Sequence, residues 1–64
     1  MPHVQVTMLK GRDHEQKRKL VERVTDALVD ECGATAETVT VAIVEVTRED
    51  WARGGVLQAD AEKK

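Results

Sequence analysis

Two strand-like segments separated by one long amphipathic segment constrain the fold of this chain more than any other feature. The first segment, residues 2–9, alternates in polarity, with Val4, Val6 and Met8 on one side. The second, residues 39–46, reads VTVAIVEV and is rich in β-branched residues. Alternation is typical of a half-exposed strand, and a nearly continuous apolar run is typical of a strand covered on both faces. Strand, helix and strand in this order predict a parallel pair with a right-handed crossover.

The intervening segment is predicted to be a helix from about His14 to Cys32. Asp13 and Gln16 are spaced as a capping box, which satisfies free amide donors at a helix start. Gly33 is the predicted stop, because glycine adopts the left-handed C-cap conformation without steric cost. The apolar residues recur at steps of three and four and form one stripe: Leu20, Val21, Val24, Ala27, Leu28 and Cys32. Cys32 is interpreted as a small apolar filler, and the charged face, including KRK at 17–19, as solvated.

The part of the chain after the second strand is short and rich in turn signals. The TRED stretch at 47–50 predicts a tight turn. Gly54-Gly55 before Val56 and Leu57 predicts a hairpin, or a strand lent to a neighbouring chain. The terminal residues 59–64 are expected to fray. The predicted fold class is α+β: one domain over residues 1–64, with two parallel strands, one long helix and a C-terminal hairpin.

The length of the chain, 64 residues, predicts that it forms oligomers. So short a chain buries too small a fraction of its surface to be comfortably stable alone. Its one cysteine cannot form an internal disulfide, and its two histidines show no metal-ligand spacing with that cysteine. One helix hides only one face of two strands. We therefore expect a homo-oligomer without a bound metal, in which other copies cover the remaining apolar surface.

The charge balance excludes several classes of partner. Ten basic residues stand against twelve acidic ones, so no overall field attracts nucleic acid or an anionic membrane. No segment is apolar enough to span a bilayer, and the N-terminus lacks the pattern of a signal peptide. We expect a cytoplasmic protein that binds neither nucleic acid nor membranes, although local binding of small anions stays open.

Several residues in a fixed order distinguish the chain beyond its predicted fold. They are Met1-Pro2, a strand that ends in Leu9, Gly11-Arg12 before a capped helix, EQK at 15–17, a valine-rich second strand, and Trp51 ahead of Gly54-Gly55. In this order and over nearly the whole chain, they resemble the 4-oxalocrotonate tautomerase family. The resemblance implies short β-α-β subunits that assemble as hexamers, each a trimer of dimers, or as smaller assemblies.

The resemblance also implies an activity, that of a cofactor-independent keto-enol tautomerase, an isomerase of aromatic catabolism. In that family the amino-terminal proline takes a proton from a 2-hydroxydienoate or enol, such as 2-hydroxymuconate, and returns it at another carbon. Pro2 would have this role once Met1 is removed, since a retained methionine would turn its nitrogen into an amide. Maturation enzymes generally remove methionine before proline. An amine serves as a base near neutral pH where burial or nearby cations disfavour its charged form.

Three further positions are candidates for binding the substrate, an enol or keto carboxylate. Arg12 matches the family's loop arginine and would hold a carboxylate and stabilise the enolate; spacing alone favours a solvated loop residue. Trp51 matches a pocket aromatic and would exclude water, or anchor an interface. Thr40 stands where the family carries a second arginine and offers one neutral hydrogen bond. The expected substrate is therefore 2-hydroxymuconate or an enol with one carboxylate, such as that of an aryl pyruvate.

Two other functions stay open. A hydrolytic dehalogenase of 3-haloacrylates, on the same fold, would use protonated Pro2 as an acid and a carboxylate to activate water, for which Glu45 and Asp50 are the candidates. A non-catalytic homo-oligomeric interaction module would need no free proline nitrogen. His3, on the strand face opposite to Pro2, is interpreted as a packing or interface residue, and His14 as exposed.

Overall fold

The protein is a small β-α-β unit with a C-terminal appendage. The structure, a computed structural model, describes residues 2–62. Its elements in chain order are β1 (His3–Leu9), α1 (His14–Cys32), β2 (Thr40–Val46), β3 (Ala52–Arg53), β4 (Val56–Leu57) and α2 (Gln58–Ala61). One-turn 3-10 helices at Ala36–Thr38 and Arg48–Asp50 flank β2. The predicted α+β class is confirmed.

Strands β1 and β2 pair in parallel and in register over their whole length. His3 lies opposite Thr40, and Leu9 lies opposite Val46. The pairing extends one step beyond β1, because the Thr40 amide donates to the Pro2 carbonyl at 3.1 Å. The predicted parallel pair is thus confirmed, with β2 beginning one residue later than expected. Both strand starts consequently lie at one end of the sheet, and both strand ends lie at the other.

Helix α1 begins and ends at the predicted residues. The Gln16 amide donates to the Asp13 carboxylate at 2.8 Å, and the Asp13 amide donates to the Gln16 side chain at 3.0 Å, which completes the capping box. At the other end Gly33 has a φ of 72° and its amide donates to the Leu28 carbonyl. Only glycine adopts such a φ without strain. Short-range signals therefore set both ends of the helix.

The face that α1 turns toward the sheet differs from the predicted stripe. The half-buried helical residues are Lys17, Leu20, Val21, Val24, Thr25, Leu28 and Val29. Ala27 and Cys32 are exposed instead. The interpretation of Cys32 as an apolar filler is wrong, because it is the last helical residue and the chain turns away at Gly33.

An ion pair joins α1 to the sheet. Lys17 Nζ lies 2.6 Å from Glu45 Oε1, and the two side chains are only 32% and 21% exposed. The prediction that residues 17–19 are uniformly solvated is wrong for Lys17, whose apolar stem lies in the junction between helix and sheet. A half-buried, charge-assisted hydrogen bond of this length fixes the position of the helix on β2.

A single chain has no buried core. No residue among 2–62 is fully buried, and β2, predicted to be covered on both faces, exposes Thr40 and Val44. The accessible surface is 5023 Å², whereas a compact monomer of this mass exposes about 4,100 Å². The radius of gyration is 15.1 Å, against about 11 Å for a compact chain of this length. The excess area is about what one partner buries in a standard interface.

Residues 48–62 form a small unit of their own, the C-terminal arm. Gly54 and Gly55 have φ values of 61° and 82°, as a tight hairpin between β3 and β4 requires, so the predicted hairpin is confirmed. Within the arm, α2 packs against β4 and the 3-10 turn at 48–50. The expectation of a frayed tail is wrong for residues 59–61, which are helical; Lys63 and Lys64 lie outside the described residues.

We expect the stability of this protein to depend on its concentration. Because one chain buries no residue among those described, separation of the copies should remove most apolar burial and coincide with unfolding. Urea unfolding followed by circular dichroism should show a midpoint that rises with protein concentration. If the folded unit separates into two chains, a hundredfold dilution should lower its free energy of unfolding by about 2.7 kcal/mol.

Two exposed residues supply a matched comparison in the same experiment. Val44, on the sheet, is 38% exposed, and Ala27 is exposed on α1. Val44→Lys should lower the midpoint and weaken its dependence on concentration, whereas Ala27→Lys should change both little. A midpoint independent of concentration for the unmodified chain would contradict the expectation.

Candidate active site

The end of the sheet where both strands begin brings together Pro2, His3 and Thr40. Pro2 is half-buried at the head of β1, and its carbonyl accepts the Thr40 amide. His3 and Thr40 are opposite each other across the strands. Their side chains meet, with His3 Nδ1 2.7 Å from Thr40 Oγ1. We call these three residues the proline half-site. The state of Met1, on which the role of the Pro2 nitrogen depends, lies outside the described residues.

The contact between His3 and Thr40 is a feature that the sequence analysis missed. His3, predicted to be a packing or interface residue, is exposed in the single chain and bonded to a candidate substrate-binding residue. The sequence does contain a signal for this contact, namely a polar residue near the start of each predicted strand. In a parallel pair, polar residues at the first position of each strand lie on the same face when the strands are in register.

Arg12 and Trp51 lie at the opposite end of the sheet from Pro2. Between Pro2 and the loop of Arg12 runs β1, whose seven residues span roughly 23 Å at about 3.3 Å per residue. The Lys10 amide donates to the Val46 carbonyl at 2.9 Å, so the Arg12 loop and the segment leading to Trp51 start side by side. We call Arg12 and Trp51 the arginine half-site. Within one chain the two half-sites do not meet.

The Arg12 side chain is exposed and available for a ligand. Gly11, at a φ of 139°, turns the chain out of β1 immediately before it. None of the ion pairs or side-chain hydrogen bonds described for residues 2–62 involves Arg12. An unpaired guanidinium keeps five N–H donors in a planar fork that matches a carboxylate.

Trp51 is half-buried and lies within the C-terminal arm. Its carbonyl accepts the Gln58 amide at 2.7 Å. Arg48 Nε donates to the Glu62 carboxylate, with its two oxygens at 2.9 and 3.0 Å, and the Gln58 side chain donates to the same carboxylate at 3.0 Å. The bond from Gln58, and then that from Arg48, hold the pKa of Glu62 below its ordinary value of 4.5. We call Arg48, Gln58 and Glu62 the C-terminal latch.

The two carboxylates that a dehalogenase would need have other partners. Glu45 lies opposite Met8, toward the far end of the sheet, and is bonded to Lys17. Asp50 accepts the Thr47 hydroxyl at 2.9 Å in the turn after β2. Within one chain, therefore, neither carboxylate is brought to Pro2.

The half-sites are open surfaces rather than cavities. Among residues 2–62 a single chain encloses no pocket. The same residues include no group of three or more His, Cys, Asp or Glu side chains placed to hold a metal ion. Nor does any helix in this described part have the length and apolar content needed to cross a bilayer. A site that unites Pro2 with Arg12 would need more than one chain.

Comparison with known proteins gives consistent matches over the whole chain. Residues 2–61 match the family model of the tautomerase enzymes. The chain is 45% identical over 62 residues to a 2-hydroxymuconate tautomerase of Bacillus subtilis, covering 97% of this chain and 100% of that one. Among solved structures, a 4-oxalocrotonate tautomerase homologue of the tomaymycin biosynthetic pathway matches at 32% identity with a TM-score of 0.95, covering 98% of this chain and 97% of that one. A heterohexamer 4-oxalocrotonate tautomerase from Chloroflexus aurantiacus matches at 31% identity with a TM-score of 0.89 over 100% of both chains.

We expect the C-terminal arm to loosen at acidic pH. Because the pKa of Glu62 is lowered in the folded chain, its carboxylate stabilises the arm above pH 4.5, and this contribution is lost as the pH falls through the lowered pKa. Trp51 is the only aromatic residue in the chain, so its fluorescence reports on the arm. The emission should change below pH 4.5, and this change should be absent in Glu62→Gln.

The matched control for this titration is Glu49→Gln. Glu49 is exposed in the same turn but is not part of the latch, so the variant should keep the acid transition. An unchanged transition in Glu62→Gln would show that the latch does not hold the arm.

Proposed function

The chain belongs to the tautomerase family and is an isomerase, and we propose that it converts 2-hydroxydienoates such as 2-hydroxymuconate, or related enol carboxylates, to their keto isomers without a cofactor. Pro2, freed by removal of Met1, is the proposed general base. The observation that carries this proposal is the position of Pro2 at the head of β1, where the family match also begins.

The proposed reaction is a proton transfer between two atoms of one substrate. The Pro2 nitrogen takes the proton of the 2-hydroxyl group, and the electrons left on that oxygen spread along the conjugated chain as a dienolate. The pyrrolidinium formed at Pro2 then returns the proton to a carbon of that chain. The product is the unsaturated ketone, and the amine is regenerated. The base needs a pKa near the working pH, which desolvation and nearby cations favour for an amine.

We propose that Arg12 binds the substrate carboxylate next to the reacting centre and stabilises the dienolate. Its guanidinium has no partner among residues 2–62, so a bidentate bond to a carboxylate displaces no internal contact. Its permanent positive charge also opposes the negative charge that develops on the substrate oxygen. Trp51, at the same end of the sheet, is proposed to cover the site and exclude water.

The separation of the half-sites implies that each active site draws on more than one chain. About 23 Å of strand lies between Pro2 and the Arg12 loop, so we propose that Arg12 and Trp51 of one copy complete the site around Pro2 of another. Two observations support a homo-oligomer, for which we propose a hexamer built as a trimer of dimers. One chain leaves its sheet uncovered, and a related tautomerase is a heterohexamer.

Thr40 is proposed to bind the far polar end of the substrate. Its hydroxyl lies in the proline half-site and can donate one neutral hydrogen bond, which is weaker than the bonds of a charged donor. We therefore propose that the enzyme accepts enol acids with one carboxylate as well as those with two.

The first test concerns the base. Intact-mass measurement should find that the chain lacks Met1, and the ketonisation of 2-hydroxymuconate, followed by ultraviolet absorbance, should be fast. Pro2→Ala should lower kcat/KM by about 10²-fold or more, because a positioned general base contributes that much. Circular dichroism should show that the variant is folded. Equal rates for both proteins, or full activity in a protein that retains Met1, would contradict the proposal.

The second test concerns the sharing of sites between copies. Arg12→Ala should lower kcat/KM by about 10- to 100-fold, as expected for the loss of a charged hydrogen bond, whereas Arg23→Ala, on the exposed face of α1, should not. When the impaired Pro2→Ala and Arg12→Ala chains are unfolded and refolded together in equal amounts, about a quarter of the sites should combine both native residues, so activity should rise above that of either variant alone. No recovery of activity would mean that Pro2 and Arg12 do not act across chains.

A further inference from the structure

We propose that Arg53 is a second substrate-binding residue of the active site, and that its guanidinium binds the carboxylate of a diacid that Arg12 does not hold. The inference rests on the proposed function, in which Trp51 covers the site, and adds to it a determinant of substrate specificity. An enol acid with two carboxylates uses both arginines, whereas one with a single carboxylate uses Arg12 alone.

Arg53 lies on the same face of the C-terminal hairpin as Trp51. The backbone is extended at Trp51, with φ −128° and ψ 120°, and β3 follows directly. Residues two apart on an extended chain share a face, with their Cα atoms about 6.6 Å apart. The pairing across the hairpin keeps this register, because the Gln58 amide donates to the Trp51 carbonyl at 2.7 Å and Arg53 lies opposite Val56. Arg53 is therefore on the side of the hairpin that carries the proposed cover of the site.

The face of the hairpin that carries Arg53 is open in the single chain. Arg53 and Val56, which are directly opposite and so share a face, are both exposed, Val56 to 50%. Leu57, on the other face, is half-buried. An open face is what a half-site requires when another copy of the chain completes it.

Three arginines lie in the loop before α1 and in the C-terminal arm, and two of them are free to bind a ligand. Arg48 is engaged with Glu62 in the C-terminal latch. Arg12 and Arg53 take part in none of the ion pairs or side-chain hydrogen bonds described for residues 2–62. An unpaired guanidinium is permanently charged and keeps all five of its donors. Arg53 thus adds a second anion-binding group to the arginine half-site.

A diacid held between copies of the chain needs a partner for each of its carboxylates. Moving a carboxylate out of water costs on the order of several kcal/mol unless other groups replace the lost hydration. Arg12 can hold one carboxylate through two parallel bonds. Thr40 offers one neutral hydrogen bond, which is about half as strong as a charge-assisted one. A second guanidinium supplies the missing charge, so Arg53 favours substrates with two carboxylates over substrates with one.

A purely structural role of Arg53 predicts something different. If Arg53 formed an ion pair with a carboxylate of another copy, its loss would weaken assembly and impair all substrates alike. If Arg53 binds substrate, its loss should raise KM for a diacid and leave kcat nearly unchanged. An enol acid with one carboxylate should be unaffected.

The kinetic experiment compares 2-hydroxymuconate, which has two carboxylates, with phenylenolpyruvate, which has one. Arg53→Met removes the charge and keeps a long side chain. It should raise KM for the diacid about tenfold or more, as expected for the loss of a hydrogen bond between charged groups, and leave KM for the monoacid unchanged. Arg53→Lys, which keeps the charge without the planar fork, should recover part of the loss.

The matched control is Arg23→Met. It makes the same change in net charge on the exposed face of α1, so any general effect of charge on anionic substrates appears in it as well. Neither KM should change in this variant. Light scattering should give one oligomeric state for all variants, so that a loss of assembly is not mistaken for a loss of binding.

A binding measurement separates this inference from the proposed function. Muconate and sorbate, which lack the reactive hydroxyl and differ in their second carboxylate, can be titrated by calorimetry without any proton transfer. Arg53→Met should weaken muconate binding about tenfold or more and leave sorbate binding unchanged. If Pro2→Ala kept full activity, the proposed function would fail, while this titration would still decide the role of Arg53.

Four outcomes overturn the inference. One is unchanged muconate affinity in Arg53→Met. A second is equal weakening of muconate and sorbate binding, and a third is the same loss of muconate affinity in Arg23→Met. The fourth is an Arg53→Lys protein that binds muconate no better than Arg53→Met.

A variant that does not assemble also leads to a decision. If Arg53→Met failed to assemble, Arg53→Gln, which keeps a polar side chain without the charge, would replace it in the same comparison of muconate with sorbate. Failure of both variants to assemble would assign Arg53 to the contact between copies and overturn the inference.

Discussion

Because β1 and β2 are parallel, the connection between them must run back along the full length of the sheet. Helix α1 forms this crossover connection. The crossover places one helix on one face of a two-stranded sheet and leaves the other face and the strand edges uncovered. With no fully buried residue among 2–62, a single chain has little apolar burial to offset the entropy lost on ordering. The same pairing that defines the fold therefore creates its need for further subunits.

Parallel pairing also decides which residues can act together. Both strand starts fall at one end of the sheet, so Pro2 and Thr40 lie in contact through the backbone. Both strand ends fall at the other, with Arg12 and the C-terminal arm beyond them. The proposed base, Pro2, and the arginine proposed to bind a carboxylate, Arg12, are thus held apart by a rigid strand. Assembly and catalysis are linked in the proposed enzyme, since the contacts that cover the sheet would also complete the site.

Three polar contacts set details of the β-α-β fold without supplying most of its stability. Lys17 and Glu45 fix the helix on β2, the C-terminal latch joins the two ends of the C-terminal arm, and His3 meets Thr40 beside Pro2. Only the bond between Lys17 and Glu45 is half-buried. The latch and the His3–Thr40 bond are exposed, and such contacts contribute little to stability, because water competes for the same groups and salt screens the charges. Their effect is to set geometry: each fixes an element or a side chain that lies near a candidate site residue.

The sequence by itself determined the order of the elements, the ends of α1, the parallel pair and the hairpin, because capping residues, glycines and the alternation of polarity act over a few neighbouring positions. It also marked Pro2, Arg12, Trp51 and Thr40, through the family resemblance. Only the tertiary structure decided which residues meet. The burial of Lys17, the exposure of Cys32, the helical turn near the C-terminus and the bond of His3 to Thr40 depend on register and on how α1 sits across the sheet. These features are contacts between segments that are distant in the chain, and local sequence patterns do not determine such contacts.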